Sequence, residues 1–191
     1  MTTSKLDRRK KYTRMVLKDS LIQLLKEKDM SSITVKEICE RADINRSTFY
    51  SHYADHFDLL DKIEEEIIEE MAGYLSRFTF ENEEDELQIL ERLLDYFASK
   101  QEICKTLLSE NTDTTFQKKV MIFAHQFFMQ NWKAGNHHDV EISEYLSTFI
   151  ISGSIHVMKN WLSNGMDKSP KEMAEILTNL INKGLLGTNG G

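Results

Sequence analysis

Residues 34–60 read TVKEICERADINRSTFYSHYADHFDLL, and this stretch decides the fold. Thr34, followed three residues later by Glu37, matches a capping box, in which each side chain bonds to a backbone N–H of the other residue. This pattern predicts a short helix over 35–41. Asp43 tolerates the left-handed backbone conformation that a tight turn requires. The first part of the stretch therefore predicts a short helix that ends in a tight turn.

A second short helix is predicted over 46–52. Asn45 is a favoured N-cap residue. Phe49 and Tyr53 lie four residues apart, so they share one side of the helix and we expect them to anchor it. Two short helices joined by a tight turn are typical of a helix-turn-helix unit that reads DNA. Arg46 lies in the first turn of the second helix, where its guanidinium can bond to guanine in the major groove.

Further positions of the second helix carry hydroxyl groups. Ser47 and Thr48 share the first turn with Arg46 and can reach bases or phosphates, and the hydroxyl of Tyr50 can reach a phosphate. These groups make a double-stranded DNA operator the expected partner.

The stretch resembles the signature of TetR/AcrR-family transcriptional regulators, and the resemblance covers about residues 8–62. It implies an all-α homodimer with an N-terminal DNA-binding domain and a C-terminal domain for a ligand or a partner. It also implies that Thr34 touches a phosphate and that His52 and His56 lie near the DNA backbone. The expected DNA-binding residues are Thr34, Asn45, Arg46, Ser47, Thr48, Tyr50, His52 and His56.

Two residues depart from the family pattern. The family usually has glycine in the turn, where this chain has Asp43, and lysine at the start of the fourth helix, where this chain has His56. A phosphate contact at the second position would rest on backbone N–H groups and on a histidine that is mostly neutral at pH 7. We therefore expect DNA binding that is weaker, or more dependent on pH, than is typical of the family.

Long helices are predicted for the rest of the chain, because it has a single proline and only four glycines before residue 184. So little turn chemistry excludes a hairpin-rich sandwich or barrel. Apolar residues at helical spacing predict an all-α fold of about nine helices. We expect a three-helix DNA-binding domain over 1–54, an effector-binding and dimerising bundle over 55–187, and a flexible tail over 188–191.

Two helix faces follow from residue spacing. The first helix is expected to bury an apolar stripe that includes Tyr12 and Met15. The fourth helix is expected to expose an acidic face that includes Glu64.

Charge is divided unequally along the chain. Residues 1–53 hold 12 Lys and Arg against 7 Asp and Glu, a net charge of +5. Residues 54–191 hold 12 against 24, a net charge of −12, which gives the total of −7. A basic head on an acidic body indicates that the head faces a polyanion, although a solvated basic helix is the alternative.

Other classes of protein find little support. The chain has no glycine-rich phosphate loop. Cys39 and Cys104 form no C-x-x-C motif, which is compatible with a reducing cytoplasm. The longest run without charge, 14 residues over 145–158, is shorter than the roughly 20 that a membrane span needs. We expect no enzymatic activity, no metal, no cofactor, no membrane association and a cytoplasmic location.

Apolar stripes in the C-terminal half indicate an interface and a pocket. The predicted eighth and ninth helices each keep a stripe, which in the resembled family pairs with its copy as a four-helix bundle; packing within one protomer is the alternative. A second group of aromatic and aliphatic residues, from the predicted fifth, sixth and seventh helices, is expected to line a ligand pocket or to form ordinary core. The expected interface residues are Ile142, Phe149, Gly153, Val157, Trp161, Met173, Ile176, Leu177 and Leu180. The expected pocket residues are Leu93, Phe97, Leu107, Phe123, Phe127 and Met129.

The sequence therefore indicates a sequence-specific DNA-binding transcriptional regulator, a repressor that a small-molecule effector relieves. Residues 149–165, with Gly153, Trp161 and Gly165, resemble a Firmicutes-type C-terminal domain of the same family. Some such regulators act with a protein partner. The alternative is therefore a DNA-binding regulator whose C-terminal domain docks a protein instead of a small ligand.

Overall fold

The computed structural model describes residues 2–76, 83–109, 115–134 and 144–188. Over these ranges the chain forms nine α-helices, one short 3₁₀ turn (Met30–Ser32) and no strand, which confirms the all-α prediction. The helices are α1 (Thr2–Glu27), α2 (Val35–Ala42), α3 (Arg46–Tyr50), α4 (His56–Leu75), α5 (Glu83–Ser99), α6 (Gln101–Leu107), α7 (Thr115–Ala134), α8 (Glu144–Ser163) and α9 (Pro170–Thr188).

The chain divides into two compact units. The first unit comprises Met1–Ile67 together with Thr106–Phe116, and the second comprises Ile68–Lys105 together with Gln117–Gly191. α4 contributes to both units, because the division falls between its residues 67 and 68. The functional boundaries after residues 54 and 187 stay predictions, because packing alone does not define where a function begins.

α1 supplies one wall of the first unit and packs against α2. Its buried residues Thr13, Leu17 and Leu21 recur at spacings of four residues, as one face of a helix requires. Tyr12 and Met15 lie away from this face and are 60% and 50% exposed. The expectation that they belong to the buried stripe was therefore wrong.

Glu64 of α4 is buried in the first unit, with 1% of its surface exposed. It lies four residues after buried Leu60 and three before buried Ile67, so it shares their face. The hydroxyl of Thr115 donates a hydrogen bond of 2.9 Å to its carboxylate. The prediction that Glu64 belongs to an exposed acidic face was wrong, because α7 begins against this part of α4.

In the second unit, α5 packs against both α8 and α9. The indole N–H of Trp161 donates to the carbonyl oxygen of Lys168 at 2.9 Å and so closes the connection between α8 and α9. Ser169 and Glu172 form the capping box that starts α9, with bonds of 2.8 and 3.2 Å between backbone N–H groups and side chains. Residues 169–172 thus have the Ser-Pro-x-Glu pattern of a helix start, with the proline at the first helical position.

Candidate DNA-binding interface

The start of α2 is held by the predicted capping box. The backbone N–H of Glu37 donates to the Thr34 hydroxyl at 3.3 Å, and the backbone N–H of Thr34 donates to the Glu37 carboxylate at 2.9 Å. The ammonium of Lys28 also donates to this carboxylate, at 2.5 Å. The bonds from Lys28 and then Thr34 lower the pKa of Glu37 to about 2. α2 is thereby tied to the end of α1, and exposed Thr34 is placed at its N-terminus.

The turn after α2 has the left-handed conformation that was predicted for Asp43, with φ 51° and ψ 45°. The backbone N–H of Asp43 donates to Glu40, and that of Ile44 donates to the carbonyl oxygen of Cys39 at 3.0 Å. These bonds close α2 and turn the chain sharply toward α3. Such a turn is what allows the next helix to cross α2 and present its outer side.

Asn45 is the N-cap of α3, as predicted. Its side-chain oxygen accepts bonds from the backbone N–H and from the hydroxyl of Ser47, both at 2.9 Å. This amide oxygen is therefore committed to starting the helix, which makes Asn45 a positioning residue for Ser47 and Arg46. α3 is shorter than expected, because Ser51 already serves as its C-cap.

The side chains of α3 separate into a buried and an exposed set. Phe49 is completely buried and Tyr53 almost so, and their ring centroids lie 5.7 Å apart, which confirms the predicted anchor. Arg46 and Ser47 are exposed, and Tyr50 is 53% exposed with its ring edge against Phe49. The outer side of α3 is thus free to reach another molecule while its inner side holds the fold.

Two histidines follow α3 in the chain: His52 comes just after it, and His56 begins α4. His52 and His56 are both half-buried. Burial, followed by the nearby positive charges of Arg14 and Lys10, lowers the pKa of His52. The ring centroids of His56 and Phe57 lie 4.3 Å apart. The lowered pKa favours the neutral form of His52, and the positive charges nearby belong to α1.

Asp55 is the N-cap of α4, and Asp58 is a second capping residue, which the sequence reasoning missed. The backbone N–H of Asp58 donates to the side chain of Asp55 at 2.9 Å, and the Asp58 carboxylate accepts from the backbone N–H of Ala54 at 2.8 Å. The arrangement differs from a capping box in two ways: aspartate takes the place of glutamate, and its carboxylate accepts from the residue before the N-cap. The spacing of three residues between Asp55 and Asp58 was the available signal.

The predicted pocket residues are not brought into one unit. Leu93, Phe97, Phe123 and Phe127 belong to the second unit, and Leu107 belongs to the first. Phe123 and Phe127 stack with centroids 5.9 Å apart, while Phe97 and Leu107 are fully buried. The side chain of Met129 lies outside the described residues.

The predicted interface residues divide into exposed and buried sets. Phe149 and Leu180 are 76% and 64% exposed, and Ile176 is partly exposed. Tyr145, one turn before Phe149, is also exposed and was missed. Gly153 is exposed, and a Cβ placed there would meet nothing within 4 Å. Val157 is half-buried, and Ile142 lies outside the described residues.

Three of the predicted interface residues are instead core. Trp161, Met173 and Leu177 are buried within the single chain, so for them the prediction was wrong. α8 and α9 carry apolar residues on more than one side, and these three lie on the sides that face their own protomer. The apolar stripe that was read from the sequence therefore includes residues of two different surfaces, one packed inside the protomer and one exposed.

Neither metal ligands nor thiols form a cluster among the described side chains. Among them no group of three His, Cys, Asp or Glu residues is placed to hold a metal ion. Cys39 and Cys104 are both buried and unbonded to each other, and burial raises the pKa of Cys104 to about 12. Over the same ranges, none of the helices has the length and apolar character to cross a membrane.

A capped α2, a left-handed turn and an α3 with a buried anchor and a polar outer side define a helix-turn-helix DNA-binding protein. The family model described as "Bacterial regulatory proteins, tetR family" matches residues 19–63. The one described as "Transcriptional regulator C-terminal region" matches residues 84–183, more than half of the chain. The chain belongs to the TetR family of transcriptional regulators. This membership also confirms that it is a regulator and not an enzyme.

Relatives and solved structures agree with this assignment. An uncharacterized HTH-type transcriptional regulator, YxbF, from Bacillus subtilis is 37% identical over 65 residues, which are 34% of this chain and 16% of that protein. A TetR transcriptional regulator from Streptococcus agalactiae is 25% identical, with a TM-score of 0.72 over 94% of this chain and 98% of the other. FadR from Bacillus subtilis, in complex with stearoyl-CoA, has 14% identity and a TM-score of 0.63 over 87% and 96% of the two chains.

Proposed function

We propose that this regulator binds a pseudo-palindromic DNA operator as a homodimer and represses transcription until a small-molecule effector releases it. The observation that carries the proposal is the division of α3 into a fully buried anchor, Phe49, and an exposed polar side with Arg46, Ser47 and Tyr50. A helix built in this way can enter a major groove without disturbing the core beneath it.

The DNA-contacting residues have distinct proposed roles. Arg46 reads a guanine through two hydrogen bonds, and Ser47 and Thr48 reach neighbouring bases or phosphates. Tyr50 bonds to a phosphate through its hydroxyl, and Thr34 does so from the start of α2. His52 and His56 lie beside the backbone, and the free N–H groups at the start of α4 add to the phosphate contact.

The proposed dimer uses the exposed apolar side of α8 and α9. Tyr145, Phe149, Ile176 and Leu180 expose large apolar surfaces that a second copy would cover. Open space at Gly153 allows a helix of the partner to approach closely. Two-fold symmetry then places two copies of α3 in successive major grooves, about 34 Å or a multiple of it apart.

The effector would bind in the second unit and shift the dimer between two states of unequal DNA affinity. The partly exposed, stacked pair of Phe123 and Phe127 supplies an apolar wall for such a ligand. FadR, which shares only the fold, was solved with stearoyl-CoA, so the fold is compatible with a bound effector. We place the functional boundaries at 1–54 and 55–187 and the protein in the cytoplasm.

A second candidate function replaces the effector by a protein partner. It is favoured by the complete burial of Phe97 and Leu107, two of the residues expected to line a pocket. Where core side chains already fill their surroundings, little volume is left for a small molecule. The second unit would then regulate through its surface.

Selection from random duplex DNA at two salt concentrations tests the proposed DNA binding. The wild-type protein should enrich one palindromic motif, with affinity that falls steeply as salt rises. Arg46→Ala should relax the preference at one base pair in each half-site and weaken binding by about 1–3 kcal/mol. Arg92→Ala removes an equal charge from an exposed position of α5 and serves as the control. Recovery of no motif, or equal effects of both variants, would contradict the proposal.

Native mass spectrometry of the purified protein separates the two candidate functions. A small molecule retained by the dimer, whose addition weakens operator binding, supports the effector. A protein that binds the second unit and changes operator affinity, with no small molecule retained, supports the partner. A reporter gene placed behind the selected operator then gives the sign of regulation.

A further inference from the structure

One face of α1 changes from apolar to basic toward its N-terminus. Leu21, Leu17 and Thr13 are buried along this face. Continuing toward the N-terminus at steps of three and four residues, the same face reaches exposed Arg14 and Lys10. Seven residues, or about 10 Å of helix, separate buried Leu17 from exposed Lys10. The basic pair therefore lies at the edge of the first unit, where its core ends.

This edge is next to the end of α3. Of the charges that act on His52, those of Arg14 and Lys10 are the two that lower its pKa, and Arg14 also acts on Tyr53. Because such effects weaken quickly with distance, both cations lie beside the segment that follows the recognition helix. The positive charge on this side of the interface therefore belongs to α1.

The two cations also differ from the next base along the helix. Lys18, one turn after Arg14, forms an ion pair with Glu66 of α4. Among the described residues, no ion pair of this kind engages Lys10 or Arg14, and both remain exposed. Their charge is therefore available to a ligand outside the chain.

We propose that Lys10 and Arg14 form an additional phosphate-binding site that holds the DNA backbone flanking each half-site. The proposal rests on the proposed DNA binding and extends it beyond α2, α3 and the start of α4. Two cations one helical turn apart, beside a recognition helix on the basic part of an acidic chain, fit a phosphodiester backbone. Such contacts carry no base information, so they raise affinity and salt dependence without changing the preferred sequence.

A pair of double variants tests this site on the motif selected with the wild-type protein. Lys10→Ala with Arg14→Ala removes the proposed contacts. Arg8→Ala with Arg9→Ala removes the same charge from exposed positions on the opposite side of α1 and is the matched control. Each lost phosphate contact lowers the slope of log K against log salt by about 0.9. Because a dimer loses four such contacts, the variant without Lys10 and Arg14 should reduce the steepness of the salt dependence by about 3 to 4. It should also bind at least tenfold more weakly at low salt, with the selected motif unchanged.

Phosphate ethylation interference identifies which phosphates the protein needs for binding, and a general loss of charge does not change that pattern. The wild-type protein and the control pair should show interference at phosphates outside the half-sites, and the first pair should lose it there alone. Equal salt slopes for the two pairs, with unchanged flanking interference, would overturn this site and leave the DNA-binding proposal intact. If the wild-type protein selects no DNA at all, both proposals fall together. Thermal unfolding at one protein concentration confirms that each variant is folded.

Discussion

Asp43 offers a direct test of the turn that orients α3. It is exposed, and its backbone lies in the left-handed region with φ 51°. That region costs an ordinary L-residue about 1–2 kcal/mol and costs glycine almost nothing. Glycine, on the other hand, gives the unfolded chain more freedom, which offsets about 0.4–1 kcal/mol of the gain. We therefore expect Asp43→Gly to be more stable than Asp43→Ala by about 1 kcal/mol.

Asp29 provides the matched control for this comparison. It is also an exposed aspartate at the edge of a short helical element, but its φ is −65° and its side chain makes no capping bond. Alanine adopts this conformation freely, so only the effect on the unfolded chain remains. Asp29→Ala should therefore be more stable than Asp29→Gly, by about 0.4–1 kcal/mol. The order of glycine and alanine should reverse between the two positions.

Urea unfolding followed by circular dichroism measures all four variants at one protein concentration, because dimerisation makes apparent stability depend on it. A change in midpoint at constant slope reports stability alone. For a chain of this length, 1 kcal/mol corresponds to a shift of about 2–4 °C in melting temperature. If glycine and alanine rank in the same order at both positions, the assignment of strain to the Asp43 backbone is refuted.

Three further predictions concern the first unit. Phe49→Ala should cost about 3–5 kcal/mol and abolish operator binding, because it empties a fully buried site; a cost below about 1 kcal/mol in urea unfolding would argue against an anchor. The pKa of Glu37 is lowered to about 2, so the stabilisation by its carboxylate is complete above its ordinary pKa and is lost as pH falls toward 2; the urea midpoints of wild type and Glu37→Gln should converge over that range, and a constant difference would contradict this. His56→Lys should tighten operator binding in a titration at low salt, and an unchanged affinity would exclude a phosphate contact there.

The first unit could be predicted closely where its structure depends on local chemistry. The capping box of Thr34 and Glu37, the left-handed Asp43 and the N-cap Asn45 all rest on bonds between residues two to five positions apart. Such bonds can be recognised from spacing because they require no knowledge of distant packing. The buried position of Phe49 follows in the same way from helix periodicity.

The errors arose where distant packing decides the outcome. Glu64 is buried, and the hydroxyl that donates to its carboxylate belongs to Thr115, 51 residues away in sequence. Trp161 is core and Phe149 is exposed, although both belong to one apolar helix. Sequence periodicity shows that a helix has apolar sides, but it does not show which side meets its own chain and which is left for another molecule.

The discontinuous make-up of the first unit limits how this head could be exchanged between relatives. A single crossover after Ile67 would transfer α1, α2, α3 and the first part of α4 to a relative. The segment Thr106–Phe116, which belongs to the same unit, would stay behind in the original chain. Leu108 and Phe116, which are buried in the unit, would then be replaced by side chains shaped for another head. A working chimera therefore needs two exchanged segments, and recombination that conserves function in this chain must carry both of them together.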